Sequence, residues 1–245
     1  DPALYDTSFD DGTTVMMKDL YESEQWNNAN VNDYENSTIH TKLNGDFLSH
    51  VGAGVRGQIK EVKIPYRVGS TGGTVASGAN GLSCKVFLPS GYELGWTTRN
   101  LWTFPVDGAV FSYFAGTSDT DSKKIATLDG EDAIWWTRSA GTDTSLACWV
   151  VTQTGGRGAG NCSATNGIRP TFVLPSTIAV DPNKNPDGSY NLLLPEPEEM
   201  TVADLPVGSL YKLNVGGSPY NWIQVQQGNP DPSLYDTSFD DTATI

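Results

Sequence analysis

The chain has 245 residues, which is enough for one large domain or for one domain with an appendage. Its 15 Lys and Arg residues face 29 Asp and Glu residues, and the resulting net charge of −14 disfavours binding to nucleic acids and to anionic membranes. An aromatic fraction of 10%, 26 glycines and a charged fraction of only 18% favour a fold rich in strands and turns over a helical bundle.

The first predicted elements are a strand and two helices. Val15–Met17 is predicted to be a strand that leaves the Asp10–Gly12 turn. Ser37 is a suitable N-cap for a helix that continues to about residue 51, and Gly45 predicts that this helix is broken or has two steps. The apolar residues of this helix recur every four positions and form one stripe: Ile39, Leu43, Phe47 and Val51. A second short helix is predicted over residues 55–60.

The rest of the domain is predicted to consist of strands joined by glycine-rich loops. A strand is expected at 61–66 and another at 85–88, with a loop at 68–83 between them and a helical turn at 109–114. Three further strands are predicted in the last third, at residues 133–137, 147–152 and 168–174. No apolar run approaches the roughly 18 residues of a membrane-spanning helix, and the N-terminus does not look like a signal peptide.

Residues 181–204 are predicted to be an extended linker after a domain that covers residues 1–180. This stretch is rich in proline and acidic residues, a composition that gives a stiff, extended spacer. Pro186–Gly188 indicates a turn within it. The run Leu192–Leu194 is predicted to form a short strand.

Residues 205–245 are predicted to begin with a β-hairpin. Two alternating runs, 210–215 and 220–225, flank Gly216–Pro219. This pattern is typical of a hairpin, which we place within residues 207–226.

The end of the chain repeats its beginning. Residues 231–245 match residues 1–15 at eleven of fifteen positions, at an offset of 230. The repeat indicates either a tandem array of units of this length or a chain that starts part-way through a domain. In both cases, residues 1–15 are expected to have a partner segment upstream, equivalent to the hairpin that precedes residue 231.

The histidines and cysteines do not form a recognised catalytic or metal-binding constellation. His40 and His50 lie on one predicted helix about 15 Å apart along its axis, so they cannot share a metal ion there. Cys84, Cys148 and Cys162 make either one disulfide and a free thiol or three buried thiols. The sequence also has no Gly-x-Ser-x-Gly elbow of a serine hydrolase. We therefore predict no enzymatic activity, no metal and no cofactor.

Two further groups of charged residues have both a structural and a functional interpretation. The carboxylates of Asp6–Gly12 are clustered as in calcium sites, but a loop of this kind is more often an Asx-type turn between strands. Arg138 and Arg169 lie beside apolar strand residues. We expect their guanidinium groups to hold backbone carbonyls.

Several phrases of the sequence resemble a known family. Trp26–Asn28, Tyr34–Ile39 and Leu43–Phe47 are similar to a helix pattern of C-type-lectin-like folds, which are related to formylglycine-generating enzymes. Trp135–Ser139 and Gly167–Pro175 resemble the end of the DUF6273 domain, which is common in gut bacteria and their phages. The resemblance covers residues 1–180 and the hairpin. It implies an α+β, C-type-lectin-like domain with short helices around small antiparallel sheets.

The resemblance also implies where the domain occurs, but two motifs of related proteins are missing from this sequence. Domains of this kind are commonly carried on phage tails or other virion surface proteins, and the fold hosts hypervariable receptor-binding faces. The calcium-dependent sugar motifs of lectins (Glu-Pro-Asn, Gln-Pro-Asp and Trp-Asn-Asp) are absent from this sequence. The close cysteine pair of formylglycine-generating relatives is not matched either, because Cys148 and Cys162 are fourteen residues apart.

The predicted binding face is the stretch 137–166. It is almost wholly small and polar, and it lies between Trp135-Trp136 and Gly167–Pro170. Loops on a rigid sheet often carry recognition; the alternative is that these loops are only flexible and solvated. Trp149 is either an aromatic anchor or a buried strand residue. The candidate ligand-binding residues are Thr142, Thr144, Leu146, Trp149, Gln153, Arg157, Asn161 and Ser163.

The sequence therefore predicts a non-enzymatic surface-binding or adhesion domain. Its expected location is a virion surface or the cell exterior, and the expected partner of residues 137–166 is a host surface protein or glycan. The alternative function is a structural subunit of a repetitive extracellular or virion fibre, in which copies of the chain are joined by β-strand addition. Neither function involves nucleic acid or insertion into a membrane.

Overall fold

The computed structural model describes residues 3–96, 105–194, 207, 210–215, 218–223, 226–227 and 243–244. The chain divides into two compact units, Asp1–Leu194 and Pro195–Ile245. In the described part of the chain, the helices all lie in the first unit, and the second unit contributes two pairs of strands.

Short strands make up most of the regular structure. In the first unit they are β1 (Gly12–Met16), β2 (Glu22–Gln25), β3 (Val62–Ile64), β4 (Tyr66–Arg67), β5 (Val75–Ala76), β6 (Leu82–Cys84), β7 (Val86–Phe87), β8 (Thr127–Leu128), β9 (Glu131–Asp132), β10 (Trp135–Ala140), β11 (Ala147–Val151), β12 (Arg157–Asn161), β13 (Thr165–Ile168), β14 (Thr171–Pro175), β15 (Ala179–Lys184) and β16 (Tyr190–Leu193). In the second unit they are β17 (Leu210–Val215), β18 (Ser218–Ile223), β19 (Gln226–Gln227) and β20 (Ala243–Thr244). The chain is an α+β protein of small sheets and few short helices, as the sequence predicts.

The helices are short, and the first begins where the sequence predicts. They are α1 (Thr38–Lys42), α2 (Leu48–His50) and α3 (Ala53–Gln58), with a π-helical turn at Leu43–Phe47 and 3-10 turns at Thr7–Phe9, Gly78–Asn80, Ser112–Phe114 and Ser122–Lys124. The Oγ of Ser37 accepts a hydrogen bond from the backbone N–H of His40 at 3.1 Å and caps α1. The π-helical turn contains Gly45 and joins α1 to α2 without ending the helix, so the helix has two steps and no break.

Two sheets organise the first unit. The larger has five strands in the order β12-β11-β10-β13-β2, in which β10 and β13 are parallel and the other neighbours are antiparallel. The smaller has the antiparallel order β1-β14-β7. The remaining strands pair two by two: β3 with β6, β4 with β5, β8 with β9 and β15 with β16.

The five-stranded sheet has a hydrophobic cluster on each of its faces, because successive residues of a strand point to opposite faces. In β10, Trp135 packs in one cluster with Trp149, whereas Trp136 packs in the other with Cys148. Both β10 tryptophans are fully buried. The cluster of Trp136 also receives the predicted helical stripe, of which these residues are buried: Ile39, Leu43 and Phe47.

In the structure, two of the predicted strands are each interrupted at a proline, and one predicted loop contains regular secondary structure. The predicted strand 168–174 is interrupted around Pro170, and its two parts, β13 and β14, belong to different sheets. The predicted strand 61–66 is interrupted at Pro65 between β3 and β4. Proline has no N–H to donate to a ladder, which explains both interruptions. The prediction of a plain loop at 68–83 was wrong, because β5, a 3-10 turn and β6 lie in it.

Part of the predicted linker forms a β-hairpin. β15 and β16 are antiparallel, and the Gly188 N–H donates to the Asn185 carbonyl at 2.9 Å in the turn between them. Gly188 has a positive φ of 87°, which favours glycine at this position. The first unit therefore extends to Leu194, beyond the predicted boundary at residue 180. Residues 195–204 of the predicted linker lie outside the described residues.

The second unit contains the predicted hairpin. β17 and β18 pair antiparallel along their whole length, although the turn residues 216–217 lie outside the described residues. A second antiparallel pair joins β19 to β20, with Gln226 opposite Thr244. β20 belongs to the repeated segment 231–245, so part of that segment forms a strand here.

Arg138, on β10, is the centre of a buried polar network. Its guanidinium donates hydrogen bonds to the carbonyls of Pro65 (2.9 Å), Leu88 (2.9 Å) and Asp107 (2.7 Å) and to both carboxylate oxygens of Glu93 (2.5 and 2.6 Å). The side chains of Arg138 and Glu93 are fully buried. Burial lowers the pKa of Arg138, but the charge and hydrogen bonds of Glu93 outweigh burial and raise the pKa above its usual value. Arg138 therefore stays charged in the folded chain.

The expectation that both arginines hold backbone carbonyls is confirmed. Arg169 donates to the carbonyls of Met17 at 2.8 Å and Lys18 at 2.7 Å. Its guanidinium lies 5.1 Å from the ring centroid of Trp135, within the range of a cation–π contact. Arg138 and Arg169 thus connect the two sheets to the loops around them.

We expect Arg138→Leu to lower the free energy of unfolding by about 3–5 kcal/mol, because it leaves the Glu93 carboxylate buried without its partner. Urea denaturation followed by tryptophan fluorescence measures this. The control is Arg56→Leu, since Arg56 makes one exposed hydrogen bond to the Ser49 carbonyl and should change stability by about 0.5 kcal/mol or less. Equal losses in the two variants would contradict the central role of Arg138.

Asp107 is a buried carboxylate beside this network. The Ser139 Oγ lies 2.9 Å and 3.0 Å from its two carboxylate oxygens, and its single hydroxyl hydrogen is donated to this carboxyl group. Burial raises the pKa of Asp107 to about 6, although the charge of Arg138 and the hydrogen bond from Ser139 oppose the rise. The folded chain therefore holds a proton on Asp107 at a pH at which the unfolded chain, with a pKa of about 3.9, has lost it.

This difference predicts a pH-dependent contribution to stability. The contribution of Asp107 is present in full below about pH 4 and is lost as the pH rises through about 6, with a total of roughly 1–3 kcal/mol. Asp107→Asn removes the titration. We therefore expect the free energy of unfolding of this variant, relative to the wild type, to be higher at about pH 7.5 than at about pH 4.5. Denaturant titrations at these pH values measure the difference, and a pH-independent difference would contradict the prediction.

Candidate binding site

One end of the five-stranded sheet carries two neighbouring loops, residues 141–146 and 161–164, which we call the loop face. The first loop connects β10 to β11, and the second ends β12 and leads into β13. They lie side by side because β11 and β12 are antiparallel. The Cys162 N–H donates to the Leu146 carbonyl at 2.9 Å and joins the two loops directly.

A disulfide bond connects β11 to the second loop of the loop face. Cys148, in β11, and Cys162 are bonded, with their Cα atoms 5.5 Å apart. Both residues are fully buried, and Cys84 is a free, buried cysteine. Of the two possibilities left open by the sequence, the structure thus shows one disulfide and one free thiol. The bond ties the start of β11 to the second loop.

Asn32 holds the backbone of the first loop. Its side-chain amide donates to the carbonyls of Gly141 (3.0 Å), Thr144 (2.8 Å) and Ala147 (2.8 Å), and its backbone N–H donates to the Ser145 carbonyl at 2.8 Å. Asn32 is fully buried. The side-chain nitrogen and the backbone N–H of Asn32 thus lie within hydrogen-bond distance of four carbonyls, three in the first loop and that of Ala147 at the start of β11.

Other residues of the same N-terminal segment hold the second loop. The Asn27 N–H donates to the Cys162 carbonyl at 2.9 Å, and the Asn30 Oδ1 accepts from the Ser163 N–H at 3.1 Å. The Gln25 side-chain amide donates to the Ser163 carbonyl at 2.8 Å. Asn30 has a positive φ of 51°, a conformation that asparagine tolerates better than most residues.

Arg67 fixes Asn32 in turn. One guanidinium nitrogen donates to both the backbone carbonyl and the side-chain Oδ1 of Asn32, each at 2.6 Å. Arg67 is 2% exposed, and burial lowers its pKa. Because Arg67 occupies the amide oxygen, the Asn32 nitrogen is left to face the loop carbonyls.

The loop face exposes side chains to solvent, while the hydrogen bonds described above hold its backbone. Leu146 is 44% exposed, and Asp143, Asn161 and Ala164 are also exposed. Three predicted residues are partly exposed: Thr142, Thr144 and Ser163. A fixed backbone with exposed side chains suits recognition by surface complementarity.

The structure brings five of the eight predicted ligand-binding residues together and separates the other three. The five on the loop face are Thr142, Thr144, Leu146, Asn161 and Ser163. Gln153 lies in the β11–β12 turn and Arg157 at the start of β12, at the other end of strands that are about 14 Å long. Arg157 forms a 3.2 Å ion pair with Asp119 there.

Trp149 needs a correction as a candidate surface anchor. It is only 5% exposed, and it packs with Trp135 and Val151 in the core. β11 is covered on both faces, so apolar residues of both alternating sets are buried. The second interpretation of Trp149, a buried strand residue, is the correct one.

Sequence reasoning missed the asparagines and Arg67 that hold the loop face. Their only signal is a run in which Asn27, Asn28, Asn30 and Asn32 follow one another closely. Asparagine is common in turns because its side chain bonds nearby backbone groups. Here the side chain of Asn32 instead bonds carbonyls more than a hundred residues away, and no local pattern indicates such a partner.

The other candidate groups of the sequence have structural positions. Asp6 caps the first 3-10 turn by accepting from the Ser8 N–H at 3.0 Å, as in an Asx turn. His40 and His50 lie on α1 and α2, and burial lowers the pKa of His40. Within the described ranges, no group of three or more His, Cys, Asp or Glu side chains is placed to hold a metal ion. The helices found there are also too short or too polar to cross a bilayer.

The two ends of the domain meet in the smaller sheet. β1 pairs with β14, and just beyond this ladder the Ser176 N–H donates to the Asp11 carbonyl at 2.8 Å. A family model described as "Domain of unknown function (DUF6273)" matches residues 11–176, more than half of the chain. The chain belongs to this family. No curated protein and no solved structure matches it.

The match confirms the DUF6273 part of the resemblance seen in the sequence. The limits of the DUF6273 domain coincide with the hydrogen-bonded pair of Asp11 and Ser176. The loop face lies wholly inside these limits. The repeated segment 1–15, in contrast, crosses the N-terminal limit of the domain.

Removing the Asn32 side chain should loosen the loop face of the DUF6273 domain. We expect Asn32→Ala to lower the free energy of unfolding by about 1–3 kcal/mol, because it leaves buried carbonyls without donors. Hydrogen exchange should also show faster exchange of the Cys162 amide. The control is Asn28→Ala, since Asn28 is an exposed residue of the same run. Similar effects of the two substitutions would count against the role assigned to Asn32.

Proposed function

We propose that the loop face of this DUF6273 domain is a recognition surface that binds a host surface protein or glycan without catalysis. The observation that carries the proposal is the combination of a held backbone with exposed side chains. Asn32 and the Cys148–Cys162 disulfide hold the loops, while Leu146 and Asn161 face solvent. Loops that are already ordered lose less conformational entropy on binding than free loops do.

The state of the cysteines supports binding rather than thiol chemistry. Cys148 and Cys162 are paired in a disulfide. Burial raises the pKa of the Cys84 thiol to about 12, whereas reactive cysteines have lowered pKa values and are accessible. The three cysteines therefore suit structural roles.

The proposal includes a location and a finer fold assignment. Disulfides persist in oxidising surroundings, which supports an extracellular or virion-surface location for the chain. The net charge of −14 favours solubility and repels nucleic acids and anionic lipids. The resemblance of Trp26–Asn28, Tyr34–Ile39 and Leu43–Phe47 to the helix pattern of lectin-like folds supports a C-type-lectin-like architecture, as carried by phage tail proteins.

A second candidate function is that of a structural subunit in a repetitive fibre, whose copies join by β-strand addition. The observation that favours it is the repeat. Residues 231–245 repeat residues 1–15, and Ala243-Thr244 of this copy form β20, paired with β19. The beginning of a further unit thus associates with the end of the preceding one through backbone hydrogen bonds, the contact that strand addition uses.

A binding experiment with matched variants tests the recognition surface. The labelled chain is applied to a glycan array and to intact bacterial cells. We expect Leu146→Ser combined with Asn161→Ala to weaken binding at least about tenfold, a loss of about 1.4 kcal/mol. The control combines Gln153→Ala with Arg157→Ala at the opposite end of the sheet, where binding should not change.

Three outcomes would contradict the recognition surface. They are absence of binding to both probes, wild-type binding by the loop-face variant, and equal loss in the control. Circular dichroism of the variants ensures that the comparison is made between folded chains. Binding that resists both pairs of substitutions would place the recognition surface elsewhere on the domain.

A further inference from the structure

β1 is an edge strand with one open side. In the order β1-β14-β7, it pairs only with β14 among the described strands of the first unit. Thr13 and Thr14 are exposed. Proteins usually protect such an edge with a lysine, a proline or a bulge. β1, with the sequence Gly-Thr-Thr-Val-Met, carries none of these.

The hydrogen bonds at both ends of the β1–β14 ladder show which groups face the open side. The Ser176 N–H donates to the Asp11 carbonyl at 2.8 Å, and the Met17 N–H donates to the Pro170 carbonyl at 3.0 Å. Bonded and non-bonded pairs alternate along an antiparallel ladder, so the odd-numbered residues face β14. The N–H and C=O of Thr14 therefore point away from β14, towards the open side.

A groove follows this open side. It consists of two cavities of about 740 Å³ and about 410 Å³, and both are lined by Tyr5, Thr14 and Phe111. The larger cavity is also lined by Arg169, whose Nη1 is buried without an acceptor among the described residues. Space, aromatic side chains and unpaired backbone groups thus lie along the same edge.

The repeat identifies what pairs with this edge. At the offset of 230, Ala243 and Thr244 correspond to Thr13 and Thr14. In the second unit, this copy is paired antiparallel with β19, and Thr244 is opposite Gln226. The position that is open in β1 is therefore the position that pairs with Gln226 in its copy.

We propose that the β1 edge binds the segment 205–227 of another copy of this chain. In the bound state, the strand equivalent to Gln226-Gln227 runs antiparallel to β1, with Gln226 opposite Thr14. Its backbone pairs with the open groups of Thr14. This inference rests on the second proposed function, strand addition between units, and names the edge, the donor strand and the register.

A fusion protein tests the pairing. A copy of residues 205–230 is joined to the N-terminus of the full chain, since Pro230 is naturally followed by Asp231-Pro232 and the chain begins with the same Asp-Pro pair. We expect hydrogen exchange of the Thr14 amide to slow at least about tenfold, which corresponds to about 1.4 kcal/mol of added protection. The Val15 amide, which faces β14, should change little and serves as an internal reference.

The matched control is the same fusion with Gln226→Pro in the added segment. Proline has no N–H to donate to the Thr14 carbonyl, so the substitution removes one of the two hydrogen bonds of this pair and weakens the pairing. Thr14 exchange should therefore be faster than in the unmodified fusion. Equal Thr14 exchange in the fused and unfused chains would overturn the proposal, as would full protection in the Gln226→Pro fusion. A Thr14 amide that is already protected in the unfused chain, at a concentration at which light scattering shows a monomer, would show another occupant of the edge and would also overturn it.

Failure of this inference is distinguishable from failure of the proposed functions. Light scattering of the unfused chain measures assembly separately. A chain that stays monomeric while the fusion protects Thr14 contradicts the fibre function and supports the pairing at β1. Binding by the loop face involves the other sheet, so its outcome does not change the interpretation of Thr14 exchange.

Discussion

The pairing of Arg138 with Glu93 is the interaction on which the rest of the domain depends. The guanidinium reaches the carboxylate of Glu93 and the carbonyls of Pro65, Leu88 and Asp107, which lie in separate, mostly irregular segments. These segments have few ladder hydrogen bonds, so they need another source of order. A planar group with five N–H donors can serve several of them from one point. The cost of burying its charge is offset because Glu93 is buried with it.

At the loop face, a buried polar side chain again binds several backbone carbonyls, but this side chain is an uncharged amide. β10, which carries Arg138, runs directly into the first loop, and Asn32 holds that loop by its carbonyls. Arg67 holds Asn32, so a cation again organises backbone oxygens, this time through an amide. The loop residues take part in these contacts through backbone atoms. Their side chains can therefore vary while the backbone keeps its course, which is the property expected of a recognition surface.

The parts of the fold that could be predicted from the sequence rest on local signals. The N-cap at Ser37 and the stripe after it locate the first helix, and alternating runs locate the main strands. The partners could not be predicted, since β1 pairs with a strand far along the chain. Glu93 and Asp107 look like surface carboxylates until the fold buries them. Trp149 was ambiguous because a strand covered on both faces loses the alternation that would mark its exposed side.

Asp11 and Ser176, the two ends of the DUF6273 domain, are one hydrogen bond apart. A domain whose chain enters and leaves at the same point can be inserted into a surface loop of another protein without separating the residues on either side of the insertion. Its gain or loss leaves the host backbone on nearly the same path. Such a domain can be transferred between unrelated proteins, or multiplied within one, with little adjustment of what surrounds it.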